Sequence, residues 1–164
     1  MLSRQYYHLA LVLCLGGCGT SSPNLSGEAE NKAAVLSGDS KGGAAANPQC
    51  RSFTPQEVAT FIGKPVEAGR NAAGGTGCQW VATDGNGSAM FQVLTADYHS
   101  PPSAAPGFKE LTNVGEKAFV VPETGGWAAG AVRGGSSINV STPMGASEES
   151  TVAFLREAIK RTAK

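Results

Sequence analysis

The sequence predicts a single α+β domain, an antiparallel sheet of about five or six strands with an N-terminal and a C-terminal helix packed on one face. Three observations carry that expectation. Thr54-Pro55-Gln56-Glu57 concentrates the start signals of a helix. Between Pro65 and Thr142, short apolar and β-branched runs alternate with clusters of Gly, Pro, Asn and Asp, the punctuation of hairpins. From Ser147 onward, Val152, Leu155 and Ile159 recur at helical spacing, with acids before them and bases after.

Taken in order, the chain opens on Met1 to His8, which carries Arg4 and no acid, and on the apolar run Leu9 to Leu15, closed by Gly16-Gly17-Cys18. Residues 1–17 have the layout of a signal peptide. The run is far shorter than the ~20 apolar residues of a spanning helix. Leu15-Gly16-Gly17-Cys18 resembles a bacterial lipobox, in which a Leu, two small residues and a Cys direct lipid transfer to the thiol and cleavage just before it. The resemblance implies that Cys18 becomes the diacylglyceryl-modified, N-acylated first residue of the mature chain, with acyl chains of the palmitate type. At about 0.8 kcal/mol per buried CH₂, several chains on one Cys hold a protein at a bilayer with no spanning segment. Gly19 follows the Cys, and by resemblance to the enterobacterial sorting rule this implies the outer membrane, facing the periplasm, if the host is Gram-negative. The competing reading is ordinary secretion with cleavage at another small residue.

Composition narrows the function classes. The chain has 13 basic and 13 acidic residues, and the leader removes only Arg4. A nearly neutral mature protein has no basic field to collect nucleic acid or acidic lipid. Of the 4 cysteines, Cys14 leaves with the leader and Cys18 is acylated, so Cys50 and Cys78 remain in an oxidising compartment. A disulfide between them is the economical reading. Residues 18–49 are rich in Ser, Gly, Ala, Asn and Pro and form a flexible tether behind the lipidated Cys. Its ends lie on the order of 30 Å apart as a coil. Residues 50–164 suffice for one globular domain with one core.

Within that domain, Thr54 caps a helix, Pro55 suits its first position, Glu57 completes a capping box, Phe53 staples onto Val58, and Gly63 ends it. A weak strand at Pro65–Ala68 precedes a clear hairpin, Cys78–Thr83 and Ala89–Thr95 around Asp84-Gly85-Asn86-Gly87. Asp97 to Gly107, with Pro101, Pro102 and Pro106, reads as a long exposed loop. Lys117–Val121, Trp127–Arg133 and Ser137–Thr142 follow as an antiparallel meander, and Ser147 caps the last helix.

The Cys before a short helix, Phe61-Ile62-Gly63-Lys64-Pro65-Val66, the second Cys in Cys78-Gln79-Trp80, Gly115-Glu116-Lys117-Ala118 and the closing amphipathic helix together resemble small secreted bacterial envelope lipoproteins of unknown function. The likeness spans most of residues 50–164 and implies a fold and a location but no activity.

No catalytic set emerges from the residues. His99 is the single histidine outside the leader, and neither a Gly-x-Ser-x-Gly elbow nor the further ligands of a metal site accompany it. Gly74-Gly75-Thr76-Gly77 and the glycines around Val132 lack the order of a phosphate loop, and Glu148 and Glu149 are adjacent and serve the helix dipole. No cofactor is expected. Trp80 alternates onto the face of Cys78 and reads as core. Trp127, beside a glycine turn, joins Tyr98 and Phe108 as a candidate recognition surface, with His99 as a hydrogen-bonding group. The expectation is a membrane-anchored, non-enzymatic envelope lipoprotein binding a protein, peptide or glycan. An inhibitor or immunity-type module is one alternative, and a hydrolase with a dispersed site is another.

Overall fold

In the computed structural model of the chain, which describes residues 43–162, strands β1 (Arg70–Ala72), β2 (Gly77–Val81), β3 (Ser88–Thr95), β4 (Lys109–Glu110), β5 (Glu116–Glu123), β6 (Gly126–Arg133) and β7 (Ser136–Pro143) build the domain. They form one antiparallel sheet of 7 strands in the order β1-β2-β3-β7-β6-β5-β4. Helices α1 (Gly43–Ala46), α2 (Pro48–Arg51), α3 (Pro55–Ile62) and α4 (Glu148–Thr162) complete it. The leader, the lipobox-like segment with Cys18 and most of the tether lie outside the described residues.

α3 forms where its start signals predict. Thr54 accepts from the Glu57 N–H while the Glu57 carboxylate accepts from the Thr54 N–H, so two orphan donors are satisfied reciprocally. Gly63 stops the helix at φ 75°, a left-handed conformation that costs a residue with a Cβ more. Phe53 and Val58 are both buried, as a hydrophobic staple requires. Ser147 and Ser150 exchange hydrogen bonds at the start of α4, each hydroxyl accepting from the other's N–H at 3.1 Å.

Both long helices lie on one face of the sheet, as expected. Phe53 sits at the centre of the contact, edge-on to Trp80, Phe91 and Phe154, while Phe61 stacks on Phe154 at 5.0 Å. Trp80, Phe91, Phe154 and Leu155 are fully buried, so four large side chains offset a core otherwise built from Val and Ala. Arg161 of α4 clamps α3 by donating to both Glu57 oxygens, at 2.9 and 3.2 Å, and to the Ser52 carbonyl, with its guanidinium 4.1 Å from the Phe53 ring centre. A disulfide joins Cys50 to Cys78, Cα atoms 5.0 Å apart, and ties α2 to the start of β2.

Three local features refine the expectation. The early strand lies at Arg70–Ala72, and Val66 makes only an isolated bridge to Ala82. Pro65 has no N–H for a ladder, which leaves the Pro65–Ala68 stretch at the sheet margin. β4 is the additional strand, too short to register as a periodic run. Finally, the fold begins ahead of Cys50: Asn47 is buried, caps α2 by accepting from the Gln49 N–H, and donates to the Gly77 carbonyl at 2.8 Å.

Candidate functional site

The loop after β3 decides where a site can form. β3 and β4 are separated in the sheet by β7, β6 and β5, so residues 96–108 must cross the sheet, and they do so on the face without helices. A single 3₁₀ turn, Ala96–Tyr98, starts the crossing. His99 then fastens it. Its Nε2 donates to the Lys117 carbonyl at 2.9 Å, and its Nδ1 lies 3.0 Å from the Ser137 hydroxyl. Ser137 Oγ already accepts from Asn139 Nδ2 at 3.1 Å, so its own proton is free to go to His99 Nδ1. Ser103, Ala105 and Phe108 close short turns with their N–H groups on the carbonyls of Pro101, Pro102 and Ala105. The proline-rich segment is therefore a strap across the sheet.

Phe119 is the hub under the strap. It projects from β5 away from the helices, with Phe108 stacked on it at 5.9 Å and the His99 ring at 5.8 Å. Its cross-strand partner is Gly130, where a Cβ would fall 2.7 Å from the Phe119 ring and 2.5 Å from Asn139 Oδ1. The glycine is the space into which the ring settles. Beside it, β5 breaks register between Glu116 and Phe119, and Lys117 takes φ 49°. That irregularity turns the Lys117 carbonyl toward His99 and re-aims its side chain.

Two depressions flank the strap. The larger, about 440 Å³, lies between the strap and the β4–β5 edge, with Phe108, Leu111 and Ala118 beside Glu110 and Lys117. The smaller, about 290 Å³, lies over the open sheet face, with Ser100 and Pro102 above Phe119, Val121, Asn139 and Ser141. Neighbouring prolines thus face opposite sides. No family model, curated protein or solved structure matches the chain. What the site can do is read from its own geometry.

The structure gathers some of the expected residues and separates another. Tyr98 is 72% exposed at the start of the strap. His99 and Phe108 meet through Phe119. Trp127 lies elsewhere: it pairs with Thr142, whose hydroxyl meets Thr151 of α4 at 2.6 Å, so this position faces the helices. Along β7, Ser137 beneath His99 and Thr142 beside Trp127 have opposite parity and lie about 17 Å apart. Antiparallel pairing therefore puts Trp127 at the other end and on the other face, which corrects the expectation of one shared aromatic surface. Phe119 is the residue the sequence reading missed, and its signal was a glycine in the interior of the strand opposite.

The His99–Ser137 contact has the partners of a nucleophile and a base but not their access. Ser137 is fully buried in mid-sheet. Both His99 nitrogens are engaged, one by Ser137 and one by a main-chain carbonyl, which leaves none for Asp97. The strongly shifted acid lies far from the strap: hydrogen bonding to Arg161, then to the Thr54 N–H, lowers Glu57 to about 2. Among the described residues no group of three His, Cys, Asp or Glu side chains converges as metal ligands would.

Proposed function

We propose that this chain is a membrane-anchored envelope lipoprotein whose disulfide-bonded domain is a non-catalytic binding module for a protein, peptide or glycan at the membrane surface. Anchoring rests on Leu15-Gly16-Gly17-Cys18 after a single-charge leader. Binding rests on one observation, the proline-rich strap with a depression on each side and Phe108 held on Phe119 at its end. Prolines limit the conformations that must be frozen when a partner docks, so such a wall presents its surface at low entropic cost. Because the strap lies along the sheet, concave capture is favoured over the protruding loop of an inhibitor.

Affinity capture from detergent-solubilised envelopes with the full-length lipoprotein tests the reading. Tyr98→Ala with Phe108→Ala should weaken capture severalfold, whereas Trp127→Ala, on the opposite face, should leave it unchanged. Equal capture by a folded Tyr98/Phe108 variant refutes the strap as the binding surface. Intact mass tests the anchor: Cys18→Ser should remove the acyl mass and release or stall the precursor, and an unacylated mature N-terminus at another residue in the wild type refutes lipidation.

A further inference from the structure

We infer that the depression between the strap and the β4–β5 edge takes a short zwitterionic peptide with small apolar side chains, an inference that rests on the reading of the domain as a binding module. Its volume, about 440 Å³, falls within the ~300–1,000 Å³ of small-ligand sites. The lining has two chemistries. Phe108, Leu111 and Pro101 give apolar surface, Ser103 adds a hydroxyl, and Glu110 and Lys117 bring one acid and one base.

Those two charges are both exposed, and neither has an ion-pair partner among the described residues. Nearby Lys109, one residue from Glu110, is by contrast paired with Glu148 at 2.6 Å. The irregularity in β5, with Lys117 at φ 49° and its carbonyl held by His99, sets where that lysine starts from. Opposite charges beside a lining of mixed polar and apolar surface repel neither a cation nor an anion as a whole. They complement a molecule carrying one ammonium and one carboxylate. A tripeptide with free termini has both, at most about 10 Å apart. A neutral saccharide would leave both protein charges without partners, and an internal protein segment matches them only where its own side chains carry both charges at that spacing.

The test is amide-resolved NMR on the full chain in detergent micelles, titrated with trialanine and with its N-acetylated, C-amidated and doubly blocked forms. Trialanine should shift the amides of Phe108 to Leu111 and of Lys117 and Ala118. Blocking either terminus should weaken binding about threefold to fivefold, the range of an exposed ion pair. Glu110→Gln should erase the difference between free and acetylated peptide only, and Lys117→Gln the difference between free and amidated peptide only, with strap amides unmoved in both variants. Absent shifts, shifts confined to other regions, or equal affinity for the doubly blocked peptide overturn the inference. Envelope capture run in parallel separates the two readings: a partner captured equally by the Glu110→Gln/Lys117→Gln double variant keeps the binding module and removes this ligand class. Charge-dependent trialanine binding without any envelope partner keeps the peptide site and removes the larger-partner reading.

Discussion

Gly130→Ala places one methyl group where the candidate site is most tightly packed. The new Cβ would lie 2.5 Å from Asn139 Oδ1 and 2.7 and 3.0 Å from two Phe119 ring carbons. Non-bonded carbons settle at about 3.5–4.0 Å, so the ring must withdraw by roughly 1 Å. Phe119 is not free to do so, because Phe108 stacks on it and the His99 ring lies against it. Overpacking of this kind costs about 1–3 kcal/mol, and the reduced backbone freedom of Ala in the unfolded chain offsets about 0.5–1 kcal/mol of that. The expected net loss is about 0–2.5 kcal/mol, centred a little above 1 kcal/mol. Urea denaturation should show a lower midpoint at unchanged slope, and NMR should show shifts at His99 and Phe108, beyond the substituted strand. Phe119→Leu in the same chain should recover part of the loss, since the two sites share one contact. An unchanged midpoint with Phe108 and His99 resonances unmoved refutes the packing argument.

Removing the disulfide by Cys50→Ser with Cys78→Ser opens a loop whose ends are 28 residues apart; the chain-entropy relation gives a loss of about 3–4 kcal/mol, read as a denaturation midpoint, and a loss under about 1 kcal/mol contradicts it. The lowered pKa of Glu57 gives an acid-side prediction. Its folded value, about 2, lies below the ordinary 4.5, so its contribution is fully present above pH 4.5 and is lost as pH falls toward 2. With the side chain 43% exposed, solvent screening limits that contribution to about 0–1 kcal/mol. Glu57→Gln should flatten the pH dependence of stability in that window, and parallel wild-type and variant curves count against the clamp. His99→Phe keeps a ring against Phe119 but leaves the buried Ser137 proton without an acceptor, a cost of about 1–3 kcal/mol. Hydrogen exchange should then quicken in the strap before the sheet, and uniform protection refutes the latch.

How much was legible in the sequence depended on the range of the signal. The cap at Thr54–Glu57, the stop at Gly63 and the reversal at Asp84–Gly87 are written in neighbouring residues, and each lies where expected. Trp80 was readable as core because its strand alternates cleanly. β6 gives no such parity. Ala128, Ala129, Gly130, Ala131 and Val132 are small or apolar on both faces, so the sequence does not say which side Trp127 takes. Its end of the sheet depends on β7 inserting between β3 and β6, a non-local pairing that no local pattern carries. The same topology turns the proline-rich loop into a strap: its composition announced a loop, but only the strand order makes it cross three strands.

The strap is longer than its crossing demands. From β3 to β4 the chain moves four strand spacings, about 19 Å, and returns along the strands by about 13 Å, a diagonal near 23 Å. Thirteen extended residues, 96–108, reach about 43 Å. A connection chosen only for economy would be shorter. The slack is taken up in turns at Ser103, Ala105 and Phe108 that set prolines along the two depressions and bring Phe108 down onto Phe119. The edge of β5 past β4 is also blunted against strand addition. Leu111 donates to the Ala118 carbonyl, so the main chain of residues 118, 120 and 122 points toward β4. Past the end of that short strand the next such residue is Pro122, which has no N–H to offer. A partner arriving there finds no N–H donor on β5 at that position and only the two-residue β4 beside it, so the side chains of the depression do most to select it.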